Sequence, residues 1–460
     1  MTTSITTINP FTEQPIQEYT LLSTKDAEQA IDNADTCFQT WKLTSLAERG
    51  KLANKLAKVL EDNQQQLAQL MTDEMGKVRA QGVQEVQLCA QICRYTAEQA
   101  ATVLADEERE FDQGKAIISY QPIGVILGIQ PWNFPLYQVI RYSISNLVAG
   151  NTTVLKHASN VFGMAKKIEK MFITAGFPQY CYQSLLIDGE TASKLISHPK
   201  VQGVTFTGSD KVGKSVAEAA AKLAKKTVLE LGSNDAYLVL DDADIELAVK
   251  TSVKGRIINN GETCVSAKRF IVTEKNYAAF KKGFASAMTS LTMGDPNNND
   301  TDLGPLARSD LRDKLHQQVT ESIEAGATIV CGCEMPEGTG FFYPASILEN
   351  VSPEMPAYDD ELFGPVAALI RVKDDEQAMQ VANDSRYGLG GGIFSRDVER
   401  AIELAKKHFN TGMVNINGYA LAQPNLPFGG VKDSGYGREH GGFGLREFVN
   451  IKSIMVATKT

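Results

Sequence analysis

Residues 204–213 read Val-Thr-Phe-Thr-Gly-Ser-Asp-Lys-Val-Gly, an apolar strand that passes through a glycine-serine turn into a helix. We expect the strand over residues 204–206 and the helix over residues 214–225. Backbone N–H groups at a helix start suit a pyrophosphate, and glycine allows its close approach. The turn differs from the usual dinucleotide fingerprint G-x-G-x-x-G, so on its own it is weak evidence of a cofactor site.

The same alternation of strand and helix extends to both sides of this segment. Upstream, a strand over residues 152–155 precedes a helix over 163–175, and downstream a second alternating block runs from about residue 245 to 411. Such alternation predicts parallel sheets covered by helices, an α/β fold. The strand-like tail over residues 451–457 has no helix to pair with, a pattern typical of a strand that joins another domain or subunit.

Composition excludes several classes of protein. The chain has 460 residues, 43% of them hydrophobic and 22% charged, with a net charge of −9. This predicts two or three globular domains, and the interspersed Lys and Arg indicate neither a nucleic-acid nor a membrane-surface partner. We find no secretory signal and no run near the ~18 apolar residues of a membrane span.

Seven cysteines without disulfide or metal spacing indicate no metal site and a reducing, cytoplasmic setting.

Cys264 lies in the polar, glycine-broken segment Asn-Asn-Gly-Glu-Thr-Cys-Val-Ser-Ala over residues 259–267. A cysteine in such a segment is presented rather than packed, and a thiolate is a strong nucleophile when its surroundings lower its pKa. The alternative is a small apolar residue packed beneath a loop. The local sequence does not decide between them.

Two further segments follow apolar strands and carry candidate catalytic groups. Asn133 lies in Gln-Pro-Trp-Asn-Phe-Pro over residues 130–135, where two prolines would hold its amide toward a developing oxyanion. The alternative is a turn in which Asn133 bonds its own backbone. Glu230 ends a strand, where partial desolvation raises a carboxyl pKa toward that of a general base. The alternative is a surface ion pair.

Two later segments bear on cofactor binding. In Glu-Leu-Phe-Gly-Pro over residues 361–365, a glutamate and an aromatic two apart in a strand would face a ribose hydroxyl and a ring. The alternative is a plain strand start. The glycine-rich residues 388–392 look more like the dinucleotide fingerprint, but residues 393–395 read as a strand, and a phosphate loop should open a helix.

A late Pro-Phe-Gly-Gly lies at residues 427–430. In their fixed order, this segment and the five described above resemble the aldehyde dehydrogenase superfamily over essentially the full length. The short bacterial NADP-dependent succinate semialdehyde dehydrogenases look most similar. The resemblance implies a Rossmann-type cofactor domain over residues 1–109 and 125–230 and an α/β catalytic domain over 231–435. It also implies a small β oligomerisation arm over 110–124 and 436–460, and a homodimer or homotetramer.

The resemblance also implies roles for the candidate residues. Cys264 would attack the aldehyde carbon, and the Asn133 side chain and the Cys264 N–H would hold the oxyanion. Hydride transfer to the nicotinamide would leave a thioester, which water activated by Glu230 would hydrolyse. The residues implied in cofactor binding are Trp132, Lys156, Ser159, Thr207, Gly208, Ser209, Leu231, Glu361 and Phe363.

Cofactor choice is indicated by Ser159. Relatives that prefer NAD usually carry a glutamate at this position, where it holds the adenosine ribose. A carboxylate would repel a 2′-phosphate, whereas a hydroxyl can donate to it and Lys156 can pair with it. We therefore predict NADP over NAD.

Arg141 follows Asn133 by eight residues, about two turns along a helix that begins near Phe134. The matching arginine of succinate semialdehyde dehydrogenases holds the distal carboxylate of the substrate, so the resemblance implies oxidation of succinate semialdehyde to succinate. An internal ion pair is the alternative for Arg141. The alternatives for the chain are a broad-range or other acidic-aldehyde dehydrogenase and a catalytically silent binding relative.

Glu262 stands where the family usually has glutamine, and we expect its side chain to point away from Cys264.

Overall fold

The computed structural model of the chain describes residues 3–457. Its α-helices, in chain order, are α1 (Thr24–Trp41), α2 (Leu46–Asp62), α3 (Gln64–Met75), α4 (Arg79–Val103), α5 (Tyr137–Ala149), α6 (Phe162–Ala175), α7 (Gly189–Ile196), α8 (Asp210–Ala221), α9 (Ile245–Ile257), α10 (Glu274–Thr289), α11 (Ser309–Glu324), α12 (Pro356–Asp359), α13 (Asp375–Asn383), α14 (Val398–Lys407) and α15 (Phe443–Glu447). Short 3₁₀ helices lie at Ser159–Val161 and Ile258–Gly261.

The strands are β1 (Ser4–Ile8), β2 (Pro15–Thr20), β3 (Glu107–Phe111), β4 (Gly114–Pro122), β5 (Val125–Gln130), β6 (Thr152–His157), β7 (Tyr182–Leu185), β8 (Val201–Thr207), β9 (Lys226–Glu230), β10 (Ala236–Val239), β11 (Arg269–Thr273), β12 (Thr328–Cys331), β13 (Ser346–Glu349), β14 (Val366–Val372), β15 (Tyr387–Gly388), β16 (Gly391–Phe394), β17 (Asn415–Ile416), β18 (Val431–Lys432), β19 (Gly435–Tyr436) and β20 (Val449–Ala457).

Two large sheets form the body of the molecule. The first has the order β19-β9-β8-β5-β6-β7 and is parallel except for the edge strand β19. The second has the order β12-β13-β14-β11-β10-β16-β17 and is parallel except for the edge strand β12. The predicted α/β class with parallel sheets is therefore confirmed.

A third, antiparallel sheet of order β20-β4-β3 projects from the first. It contains one strand from each segment predicted for the oligomerisation arm, β4 from residues 110–124 and β20 from residues 436–460. It also contains β3, which begins at Glu107, three residues before the predicted boundary at residue 110. Residues 458–460 of the predicted arm and residues 1–2 lie outside the described part of the chain. The domain boundaries themselves stay a prediction.

Burial explains why α5 holds a fixed position beneath the first sheet. Every residue of α5 is buried, and the helix packs against α4 on one side and β5 on the other. The absence of a side chain at Gly128 of β5 lets the Tyr142 ring lie directly on the strand, since a Cβ there would lie 2.2 Å from the ring. The segment that leads from β5 into α5 is thereby fixed at the carboxyl end of the sheet.

Two predicted elements differ from the structure. Helix α8 begins at Asp210, four residues before the predicted start, because Ser209 caps it by accepting from the Val212 N–H. Residues 361–365 form a loop instead of the predicted strand, and β14 begins only after Pro365, which has no N–H to donate to a ladder. The strand predicted after the glycines of residues 388–392 is confirmed as β16.

Within residues 3–457, none of the helices combines the length and the apolar character needed to cross a membrane. The same residues bring together no group of three or more His, Cys, Asp or Glu side chains that could hold a metal ion.

Candidate active site

A cavity of about 340 Å³ opens between the carboxyl ends of β5, β8 and β9 and the elements of the second sheet. Nine of the predicted site residues contribute to its wall. They are Trp132, Asn133, Thr207, Gly208, Ser209, Leu231, Cys264, Glu361 and Phe363. Lining residues that the sequence analysis missed include Gln138, Lys314, Gln318, Arg386 and Tyr387. Glu230, Arg141, Lys156 and Ser159 lie outside this lining.

A left-handed turn brings Cys264 to the cavity wall. Asn259, Asn260 and Gly261 have φ values of 54°, 57° and 78°, and asparagine tolerates this region better than most residues. Glycine is required at residue 261, because a Cβ there would lie 2.3 Å from the carbonyl carbon of Gly364. The turn leaves Cys264 half-buried at the cavity, so of the two alternatives that the local sequence left open the structure favours presentation over packing.

The surroundings of Cys264 favour its neutral thiol. Burial raises the pKa of Cys264 to about 12, although the positive charges of Lys268 and Arg141 act in the opposite direction. The Cys264 carbonyl oxygen accepts hydrogen bonds from Lys268 Nζ at 2.6 Å and from the Ser233 hydroxyl. The main chain of Cys264 is therefore held firmly, while its sulfur needs a proton acceptor to become a nucleophile.

Hydrogen bonds tie Asn133 to the Cys264 loop. Asn133 Nδ2 donates to the carbonyl oxygen of Glu262 at 3.1 Å. In return, Asn259 Nδ2 donates to the carbonyl oxygens of Asn133 and Glu262, at 2.9 and 3.1 Å. This differs from the alternative in which Asn133 bonds its own backbone. An amide carries two N–H groups, so the second is available for a ligand in the cavity.

Glu85 of α4 fixes the segment that carries Asn133, a role the sequence did not reveal. Its Oε1 accepts hydrogen bonds from the backbone N–H groups of Leu136 and Tyr137, at 3.0 and 2.9 Å. The other oxygen pairs with Lys77, which is also buried. Glu85 lies about fifty residues before Leu136 and Tyr137 in the chain, so no local pattern could indicate its hydrogen bonds to their N–H groups.

Glu230 ends β9 and is buried, and neither carboxyl oxygen has a hydrogen-bond partner among the described residues. Burial raises the pKa of Glu230 well above its ordinary range, against the opposing charge of Arg141. The direction of this pKa shift is the one expected from its place at a strand end. The surface ion pair considered as its alternative is not observed.

Arg141 makes the internal ion pair that was kept as its alternative. It is buried, pairs with Glu439, and donates from Nη2 to Thr207 Oγ1 at 3.0 Å. The rings of Tyr137 and Phe428 lie 5.2 and 4.7 Å from its guanidinium. Arg141 borders a separate small cavity instead of the main one. A role in binding substrate stays a prediction.

Among the remaining predicted cofactor residues, Glu361 and Phe363 line the cavity, whereas Lys156 and Ser159 do not. Glu361 accepts from the Ser233 N–H at 3.1 Å and lies 3.3 Å from Lys268, and burial raises its pKa. The ring of Phe363 meets that of Trp132 edge-on at 5.8 Å. Lys156 lies near the end of β6, where burial lowers its pKa, and Ser159 opens the following 3₁₀ helix.

Glu262 points away from Cys264, as expected. Its side chain is buried, and Oε1 accepts from the Ala307 N–H at 3.1 Å. Burial raises the pKa of Glu262 well above the ordinary carboxyl value. The departure from the usual glutamine therefore adds no carboxylate at the thiol.

One cavity is lined by a cysteine, a side-chain amide and the start of a helix, groups that suit an enzyme combining a thiol nucleophile with a phosphate-bearing cofactor. The sequence model of the aldehyde dehydrogenase family matches residues 1–454. The chain belongs to this family.

Proteins of similar sequence align with nearly the whole of this chain. A probable succinate-semialdehyde dehydrogenase [NADP(+)] of Synechocystis is 43% identical over 99% of this chain and 100% of its own length. The succinate semialdehyde dehydrogenase [NAD(P)+] Sad of Escherichia coli is 42% identical over 97% of this chain and 96% of its own. The crystal structure of succinic semialdehyde dehydrogenase from Streptococcus pyogenes in complex with NADP+ is 37% identical. It superposes with a TM-score of 0.96 over 98% of this chain and 100% of that chain.

Proposed function

We propose that this chain oxidises succinate semialdehyde to succinate with reduction of NADP. The observation that carries the proposal is one cavity wall shared by Cys264, Asn133 and the turn Thr207-Gly208-Ser209. The relatives named as NADP-dependent succinate semialdehyde dehydrogenases support the same substrate and cofactor.

The residues around the cavity fit a nicotinamide dinucleotide. The start of α8 offers backbone N–H groups to the pyrophosphate, and Glu361 offers a carboxylate to the nicotinamide ribose. Trp132, Leu231 and Phe363 supply apolar walls, while Lys156 and Ser159 would meet the 2′-phosphate. When bound, NADP accepts a hydride, which is chemistry that no side chain of the protein supplies.

The protein contributes the nucleophile, the charge stabilisation and the base. Cys264 gives up its proton to solvent water and its sulfur attacks the aldehyde carbon, and Asn133 Nδ2 and the Cys264 N–H donate to the resulting oxyanion. Loss of a hydride leaves a thioester on Cys264. Glu230 takes a proton from water, which attacks the thioester and releases the acid and the thiol.

We further propose that the chain assembles as a homodimer or homotetramer through the antiparallel arm. Strand β20 exposes apolar side chains along much of its length, namely Ile451, Ile454, Met455 and Val456. An exposed apolar edge strand favours pairing with another chain. We also propose a division into a cofactor domain, a catalytic domain and an arm at the boundaries predicted from the sequence. A reducing, cytoplasmic setting suits the seven free thiols.

A panel of aldehydes tests the proposed function. Formation of the reduced cofactor, NADPH from NADP or NADH from NAD, is followed by absorbance with succinate semialdehyde, with butanal, and with acidic aldehydes of other lengths. We expect the highest kcat/KM for succinate semialdehyde with NADP. Equal values for the charged and uncharged aldehydes would instead support a broad-range enzyme, and a lack of turnover with all of them would support a silent relative.

A further inference from the structure

Arg386 joins carboxylates from three separate parts of the chain at the rim of the main cavity. It follows α13 and donates to Asp210 of α8, with Asp433 at 3.3 Å and Asp360 at 3.4 Å. The guanidinium also stacks on the Tyr387 ring at 4.1 Å. Arg386 therefore bridges the first sheet region and the second.

Among these carboxylates, Asp210 depends most on Arg386. Asp433 has a second cation, Lys214, at 3.0 Å, and Asp360 is the most exposed of the three. Burial acts to raise the pKa of Asp210, but the hydrogen bond and charge of Arg386 leave that pKa below its ordinary value, with smaller contributions from the Lys211 N–H and the charge of Lys214. Asp210 is thus a carboxylate at neutral pH, and Arg386 is the cation bonded to it.

Asp210 occupies a position that is unfavourable for an anion-binding site. It is the first residue of α8 and directly follows the turn Thr207-Gly208-Ser209, and it lines the same cavity. A dinucleotide pyrophosphate bound at this helix start would lie close to the Asp210 carboxylate. Like charges at short range repel strongly where water is partly excluded. An uncompensated Asp210 would therefore oppose the phosphate binding that the helix start favours.

We propose that Arg386 is a charge-compensating residue of the cofactor site, which neutralises Asp210 so that the start of α8 can accept the pyrophosphate. This inference rests on the proposed use of NADP. Arg386 acts through Asp210 rather than on the reacting atoms, so it is a positioning residue. The competing interpretation is that Arg386 binds the phosphate directly.

A double-mutant cycle separates the two interpretations. NADPH affinity is measured by fluorescence titration for the wild type, Arg386→Met, Asp210→Asn and the double variant, at low and at high salt. We expect Arg386→Met to weaken NADPH binding by about tenfold, and less at high salt. Asp210→Asn should restore the affinity of Arg386→Met to near the wild-type value. A double variant as weak as Arg386→Met would overturn the proposal and support direct phosphate contact.

Arg400→Met is the matched control. Arg400 pairs with Asp375 with a similar exposure, 44% against 40% for Arg386, and neither partner lines the main cavity. This variant should bind NADPH like the wild type, and thermal unfolding shows whether each variant is folded. If the wild type itself binds no NADPH, the proposed function fails. If the wild type and Arg386→Met bind it equally, only the role of Arg386 fails.

Discussion

Lys268 Nζ lies 2.6 Å from the carbonyl oxygen of Cys264 and 3.3 Å from the carboxylate of Glu361. One buried side chain thus contacts both the main chain of the proposed nucleophile and the group proposed to hold the cofactor ribose. The positive charge of Lys268 also opposes the rise in the Cys264 pKa that burial causes. Lys268 is therefore the neighbour whose removal should most disfavour the thiolate.

Lys268→Met should make Cys264 less reactive. The pKa of Cys264, already raised to about 12, should rise further, and each unit lowers the thiolate fraction about tenfold. The rate of alkylation by iodoacetamide, measured over an alkaline pH series, should fall at every pH while still increasing with pH. Lys281→Met, which removes a lysine that pairs with Glu349 and does not line the cavity, is the control. Equal alkylation rates in the wild type and Lys268→Met would contradict this role.

Glu85→Gln should reduce catalysis through Asn133. Glutamine has a single acceptor oxygen and cannot replace the carboxylate that bonds both Lys77 and the start of α5. We expect a lower kcat with little change in the KM for NADP. Asn133→Ala alone should lower kcat about 100-fold. Adding Glu85→Gln to Asn133→Ala should lower kcat little further, because Glu85 acts through Asn133.

The chain offers a matched control for Glu85. Glu74 is equally buried and accepts from the N–H groups of Gly163 and Met164 at the start of α6, at 2.7 and 3.0 Å. Glu74→Gln should cost about 1–3 kcal/mol of stability. Glu85→Gln should cost about 3–5 kcal/mol, because it also leaves the buried Lys77 without its partner. Glu74→Gln should nevertheless leave the oxyanion site intact. If both variants lose the same fraction of kcat, Glu85 contributes only to stability.

Ser159→Glu should shift cofactor preference toward NAD. The introduced carboxylate would repel a 2′-phosphate and could accept from the ribose hydroxyls. The ratio of kcat/KM for NADP to that for NAD measures the shift, and Ser159→Ala separates the loss of the hydroxyl from the gain of charge. An unchanged ratio in Ser159→Glu would place the 2′-phosphate elsewhere.

Arg141→Ala should lower kcat/KM for succinate semialdehyde more than for butanal. The structure adds a second consequence, because Glu439 would lose its buried partner at a cost of about 3–5 kcal/mol. Because this loss of stability affects both substrates alike, it cancels in the ratio of kcat/KM for succinate semialdehyde to kcat/KM for butanal. A similar loss on both aldehydes would show that Arg141 serves only its internal ion pair.

The sequence predicted those parts of the site that depend on contiguous residues. The Cys264 loop, the turn at Gly208 and the strand end at Glu230 each follow from a local pattern of strand, glycine and polar residue. The fold class was predicted for the same reason, since alternating strands and helices repeat along the chain.

Contacts between distant segments could not be predicted in this way. Glu85 meets Leu136 across about fifty residues, and Arg386 meets Asp210 across 176. The partner of Arg141 has no local signal either, because Glu439 lies in a distant part of the chain. The loop at Glu361 differs from the predicted strand although Pro365 is a local signal against a strand ladder. The hydrogen bond from the Ser233 N–H to the Glu361 carboxylate joins distant segments and has no local signal.

The most direct test of the account is the mass of Glu230→Gln after mixing with succinate semialdehyde and NADP. Without the carboxylate that activates water, the thioester should accumulate. Mass spectrometry should then find one succinyl group per chain on the peptide that contains Cys264, formed together with a single equivalent of NADPH. Two results would contradict the account. In one, the variant forms a full equivalent of NADPH and no longer turns over, yet Cys264 is unmodified. In the other, the succinyl group lies on another cysteine.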